Sequence, residues 1–167
     1  KQILLYKALD AALPVFGHVP MVMGPDRTRL SKRHGAMSVT EYRDMGYLPD
    51  AFINYLARLG WSFGDQEFFT KSELIEKFTL ENIGRSAGIF DKEKLLALNA
   101  DHIQAANPAD LVAPLKPFFE GYGIDIEAGP HMESIIQTLQ PRSKTLKDMA
   151  QDALFYLQDS VVYDEKA

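Results

Sequence analysis

The chain has 167 residues, 46% of them apolar and 11% aromatic, with no cysteine and a formal net charge of −5. That length holds one domain or two small ones, and the composition excludes a disordered chain, disulfides and thiolate metal sites, and suits a reducing cytoplasm. No apolar run approaches the roughly 20 residues of a membrane helix, no signal peptide is visible, and His18, His34, His102 and His131 show no ligand spacing, so neither a membrane nor a metal is expected.

In chain order, residues 2–9 read as a helix that ends before Pro14. Residues 19–23, with Val19 and Val22, read as a short strand followed by a Gly24-Pro25-Asp26 turn, and Pro20 marks an edge or a strand start. Residues 27–30 pair back as a second strand, giving a short β-hairpin, before a loop opens. Ser38 and Glu41 form a capping box for a helix over 39–45, which Gly46 stops. Pro49 begins the next helix and Gly60 follows its end; Phe52, Leu56 and Leu59 fall at helical spacing and are expected to face a core. Thr70 and Glu73 cap a helix near 71–78, and Asp91 opens another through Leu98, with Leu95, Leu96 and Leu98 as its apolar surface.

Pro108, Pro114, Pro117 and Gly121-Tyr122-Gly123 interrupt the pattern, which places a domain boundary near 105–108. Beyond it, 109–119 and 132–140 read as helices, and Thr145 with Asp148 caps a third through about Gln158, whose stripe is Leu146, Met149, Ala153 and Leu157. The expected fold is mainly α with a short hairpin, in two units, 1–105 and 106–167.

Charge is uneven along this plan. Residues 1–105 carry 13 Lys+Arg against 13 Asp+Glu, and residues 106–167 carry 5 against 10. An acidic chain still binds RNA when its cations are grouped on one face. The group that stands out is Arg29-Leu30-Ser31-Lys32-Arg33-His34-Gly35: with Arg27 it holds four cations and no carboxylate. A positive, Gly-flanked loop leaving a strand is suited to meeting a polyphosphate and the charge that develops on it. Charge alone favours the plainer reading, a solvated basic turn. A P-loop is excluded, because after Gly24 the second glycine and the Lys-Ser/Thr pair are missing. Asp26, Asp44, Asp50 and Asp65 show no dyad spacing and read as caps or turns, and Trp61 reads as core rather than as a base-stacking platform.

Arg29-Leu30-Ser31-Lys32-Arg33 resembles the lysine-loop signature of class I aminoacyl-tRNA synthetases, written KMSKS, and KLSKR in the glutamyl enzymes. The neighbours Pro25-Asp26, Lys32-Arg33-His34-Gly35-Ala36, Glu41-Tyr42-Arg43, Gly46-Tyr47-Leu48-Pro49, Asn54-Tyr55-Leu56 and Leu59-Gly60-Trp61-Ser62 resemble bacterial-type glutamyl-tRNA synthetases in order and spacing. Phe90-Asp91-Lys92-Glu93-Lys94-Leu95 and Leu98-Asn99 continue the likeness, which runs from Lys1 to about His102 and thins out from Pro108 to Ala167.

The resemblance implies a glutamate–tRNA ligase that activates glutamate with ATP and Mg2+ and transfers it to tRNA(Glu). Residues 1–105 would be the end of the catalytic domain with its stem-contact region, and 106–167 the first part of a helical anticodon-binding domain. The family's upstream nucleotide-binding half is not in the sequence, so the chain reads as a piece of a longer protein, inactive by itself, monomeric and cytoplasmic. Lys32 matches the second lysine of the motif and is the expected catalytic cation. Ser31 would bond phosphate and pin the loop, Leu30 would dock it near the nucleotide, and Arg33 would add a phosphate or RNA contact; His34 reads as a packing residue. Arg29 departs from the family's lysine; it keeps the charge but reaches and packs differently. Adenine would lie against the strand before the loop, held by main-chain groups of Met21 and Val22.

Expected tRNA contacts are Arg43, Arg58 and Arg85, each equally readable as part of a solvated helix face. Arg142, Lys144 and Lys147 form a second cationic group at a helix N-terminus, where they either meet a tRNA arm or only solubilise. Two alternatives stay open: a stand-alone RNA-binding helical module, and a relative that charges tRNA(Gln).

Overall fold

The computed structural model describes residues 1–31, 38–127 and 130–158. Eight helices and one pair of two-residue strands are found among them. α1 (Gln2–Ala8) buries no residue; its Leu4 and Leu5 are exposed. β1 (Val22–Met23) follows, and a hairpin closes behind it through a single antiparallel bridge, Met23 to Arg29. The strand is therefore shorter than its apolar run, starting only beyond Pro20. The regular ladder of β1 is instead parallel, with β2 (Gly88–Ile89), in the register Val22 to Gly88 and Met23 to Ile89. Gly88 also lets β2 pass close to Leu59: a β-carbon there would stand 2.2 Å from the Leu59 carbonyl oxygen.

The first capping box forms as the sequence predicts. Ser38 Oγ accepts from Glu41 N–H, Glu41 returns a bond to Ser38 N–H, and α2 (Val39–Asp44) follows. Gly46, at φ +87°, ends that corner, and α3 (Pro49–Arg58) starts with proline in its first turn. Its buried face differs from the expected one. Ala51, Asn54 and Tyr55 are buried, Phe52 and Leu59 are half-buried, and Leu56 is 45% exposed. The reason is hydrogen bonding as much as hydrophobicity: Tyr55 Oη donates to the Asp91 carbonyl at 2.8 Å, and Asn54 bonds the chain at Glu67 and Phe69. Leu56 joins Val19, Ile53 and Ile75 on the wall of an open apolar groove.

α4 (Lys71–Lys77) is capped by Thr70 and Glu73. α5 (Lys92–Ala105), capped by Asp91, runs seven residues past the expected end at Leu98, because Asn99, His102 and Ile103 continue its buried face. α6 (Pro108–Glu120) holds Pro114 and Pro117 in its interior. A proline there removes a backbone bond and crowds the previous turn; burial of Leu111, Val112, Leu115 and Phe119 on one face offsets that cost. α7 (Pro130–Leu139) and α8 (Leu146–Leu157) complete the fold, α8 with Thr145 Oγ1 accepting from Asp148 N–H at 3.0 Å.

Three apolar clusters result among the described residues. Tyr42, Tyr47, Tyr55, Phe90 and Leu95 hold α2, α3 and α5 together under the hairpin. Trp61, Phe69 and Leu74 form a smaller one at α4, so Trp61 is core as expected. The largest joins α6, α7 and α8, and it takes Leu48, Ala51 and Ile103 from the first unit.

Candidate functional site

The basic segment leaves the hairpin behind β1, and local bonds dictate the turn. The Asp26 carboxylate accepts from the Thr28 N–H at 2.9 Å and the Thr28 hydroxyl at 2.8 Å. Gly24 N–H donates to the Thr28 carbonyl at 2.8 Å, and Arg27 sits at φ +59° between them. Leu30 N–H then donates to the Val22 carbonyl at 3.0 Å, which brings Leu30 against the tyrosine-rich cluster, half-buried. Arg29 stays exposed beside it, and Ser31 is half-buried. Lys32, Arg33 and His34 lie outside the described residues.

The chain resumes at Ser38, the cap of α2. The segment is thus bounded upstream by a hydrogen-bonded hairpin and downstream by a capped helix whose Tyr42 is buried among Phe52, Tyr47 and Phe90. Met21 is exposed, at the entry to β1. Val22, in β1, is half-buried, and its carbonyl accepts the Leu30 N–H bond.

The three arginines expected at RNA occupy three different settings. Arg43, at the end of α2, has its side chain 73% exposed and pairs with Asp44 at 2.9 Å. Arg58, in the last turn of α3, is only 24% exposed and faces Glu67 at 3.8 Å. It lines a cleft of about 360 Å³ together with Phe68, Lys94 and Asp101. Arg85 is exposed in the turn before β2. Of the second cationic group, Arg142 pairs with Asp152 at 3.4 Å, and Lys144 and Lys147 are exposed around the start of α8.

Under this surface lies a polar network for which spacing gave no signal. Asn54 Oδ1 accepts from Phe69 N–H at 2.8 Å and from His102 Nε2 at 3.1 Å. Its amide donates to the Glu67 carbonyl at 3.0 Å. His102 packs on the Phe68 ring, with centroids 4.5 Å apart, as a packing histidine would. Burial pushes its pKa below 6.5, against the pull of Asp50 and Asp101. The only sequence cue to these residues is an amide or imidazole standing where a helix stripe calls for an apolar side chain.

Residues 1–97 match a family described as tRNA synthetases class I (E and Q), catalytic domain, and residues 110–167 match an anticodon binding domain. The chain is 60% identical over its whole length to a glutamate–tRNA ligase of Desulfosudis oleivorans, of which it covers 36%. It is 53% identical to that of Geobacter sulfurreducens, again covering 36%. A solved glutamate tRNA ligase from Elizabethkingia meningosepticum, in complex with its amino acid, superposes with a TM-score of 0.75 at 27% identity, over 98% of this chain and 36% of that one. The chain therefore spans a little over a third of the length of the relatives it matches.

Proposed function

The chain belongs to the class I tRNA synthetases of the E and Q type, and from that premise we propose that it acts within a glutamate–tRNA ligase, where it supplies the lysine loop and a tRNA-facing platform. In this reading glutamate is activated and then joined to tRNA(Glu), with residues 1–105 closing the catalytic domain and 106–167 opening the anticodon-binding domain. ATP enters as its Mg2+ complex. The protein works as a monomer in the cytoplasm.

The chemistry assigns each part of the segment a task. A glutamate carboxylate oxygen attacks the α-phosphorus, the bond from that phosphorus to the bridging oxygen breaks, and pyrophosphate leaves with the electron pair. Negative charge therefore grows on the β-phosphate as the bond lengthens. A cation that arrives with that charge stabilises the transition state more than bound ATP. Lys32 is that cation, with Arg29 and Arg33 neutralising the outer phosphates and Ser31 donating its hydroxyl. Main-chain groups of Met21 and Val22 hold the adenine, leaving both side chains for packing. Arg43, Arg58 and Arg85 contact tRNA phosphates.

One observation carries the reading: the cationic sequence follows directly on the hairpin, where Leu30 N–H bonds the Val22 carbonyl, and directly precedes the helix capped by Ser38 and Glu41. The test is the parent protein. With glutamate, ATP and tRNA it is expected to exchange pyrophosphate into ATP and to form glutamyl-tRNA, while the isolated chain does neither. Glutamate-dependent exchange by the isolated chain, surviving Lys32→Ala, contradicts the reading. RNA binding by a parent that activates no amino acid favours the RNA-binding module instead.

A further inference from the structure

The corner that ends α2 meets the segment that begins α8 backbone to backbone. Leu146 N–H donates to the Gly46 carbonyl at 2.9 Å. A β-carbon at Gly46 would stand 2.5 Å from Lys147 N and 2.9 Å from Leu146 N, so only glycine allows the approach, and its φ of +87° favours glycine as well.

Beside this contact Asn99 of α5 is fully buried. Its Oδ1 accepts from Leu48 N–H at 2.8 Å, and its Nδ2 donates to the Lys144 carbonyl at 2.7 Å. One side-chain amide thus ties the start of α3 to the start of α8. A third strut stands next to it: Gln140 Nε2 donates to the carbonyls of Ile103 and Ala106, at 2.8 and 2.9 Å. The apolar cluster of α6–α8 continues through Leu48 and Ala51 into the same joint. A hinge at this place would leave buried amides without partners, a costly state.

The joint also lies close to the basic segment along the chain. From Ser38, the cap at its downstream end, to Gly46 there is one short helix, α2, fixed by the buried ring of Tyr42. On the other side of the joint are the exposed Lys144 and Lys147. The two cationic groups are therefore connected by a short path of packed and hydrogen-bonded elements.

We propose that Asn99 and Gly46 are positioning residues for aminoacylation: they lock the start of α8 to the foot of α2, so that RNA phosphates meeting Lys144 and Lys147 stand in fixed register with α2 and the tyrosine-rich cluster beneath the hairpin. The proposal rests on the ligase reading above. Neither residue touches a reactant; each acts by keeping two contact surfaces in fixed register.

The test uses the full-length parent with Asn99→Asp, Asn99→Ser and Gly46→Ala. Asn99→Asp keeps the acceptor for Leu48 N–H and turns the donor toward Lys144 into a repelling oxygen. A control, Ile135→Val in the α7 core, is matched for loss of melting temperature. All are assayed well below their melting points for kcat of glutamylation and, separately, for tRNA affinity by direct binding. The joint variants are expected to lose about tenfold or more in kcat, as for a small misplacement of reacting groups, with tRNA affinity little changed. The control keeps both.

Joint variants that behave like the control overturn the proposal. So does a loss confined to tRNA affinity with kcat intact, since the joint then only shapes the RNA surface. Should Gly46→Ala fail to fold, the two Asn99 variants decide. A wild-type parent that makes no glutamyl-tRNA removes the ligase reading and this proposal with it, an outcome distinct from an active wild type with indifferent variants.

Discussion

His102 is charged less readily in the folded chain than in the unfolded one, because burial outweighs the attraction of Asp50 and Asp101. The consequence for stability has a definite sign. A depressed folded-state pKa means that the unfolded chain binds the proton first as pH falls. The contribution of neutral His102 is full above the ordinary value of 6.5, declines as pH drops through it, and levels off below the folded value. Urea unfolding measured from about pH 7 to about pH 5 should show this decline. It should be smaller in His102→Gln, whose amide can still donate to Asn54 Oδ1. Equal slopes in the two proteins would remove His102 as the cause. Arg43 is largely exposed although paired with Asp44, whereas Arg58 is held near Glu67 in a cleft. Neutralising Arg43 in the parent should weaken tRNA binding and lower its salt slope by about 1; an unchanged slope takes it off the RNA.

At the scale of elements, the caps bind the fold to its sequence most directly. Thr145 is buried and caps α8, so Thr145→Ala should cost about 1 kcal/mol in chemical denaturation. Glu73 shows the same device at α4, where Thr70 N–H and hydroxyl, then Gln66 and Lys77, hold its pKa at about 2. A depressed carboxylate stabilises the fold fully above its ordinary 4.5, and that contribution is lost as pH falls toward 2. Glu73→Gln should flatten stability against pH across that interval, and an unchanged profile would show that the box does not operate in solution.

These caps were legible because both partners lie within four residues of each other, as was the stop at Gly46. The parallel pairing of β1 with β2 was not. Its partners are separated by three helices, and two-residue strands carry no periodicity. The face of α3 was misjudged for a related reason. Counting apolar positions put Leu56 inward, but Asn54 and Tyr55 have bonds to make there, and the helix turns to satisfy them. The basic segment was recognisable from its residues and their order, and its hairpin root from the turn chemistry. What spacing does not reveal is that Arg58 and Arg142 end in pairs, because their acidic partners Glu67 and Asp152 come from outside the segments that carry them.

For the molecule as a whole, the domain boundary read near 105–108 has one apolar cluster on both sides of it. Leu48, Ala51 and Ile103 share a cluster with α6–α8, and Asn99 and Gln140 bond across the same line. Separate fragments 1–105 and 106–158 should each melt less cooperatively and at lower temperature than the intact chain; independent melting at the intact temperature would contradict a shared core. This continuity matters for function, because a tRNA-binding surface can influence a distant loop only through elements that do not yield between them.

The most direct test of the account replaces the Lys32 ammonium by an uncharged group in the full-length parent and follows the activation step alone. Lys32→Met is expected to slow glutamate-dependent pyrophosphate exchange at saturating ATP by about 10²–10³, with the apparent affinity for ATP little changed. Exchange as fast as in the wild type would contradict the role given to the basic loop.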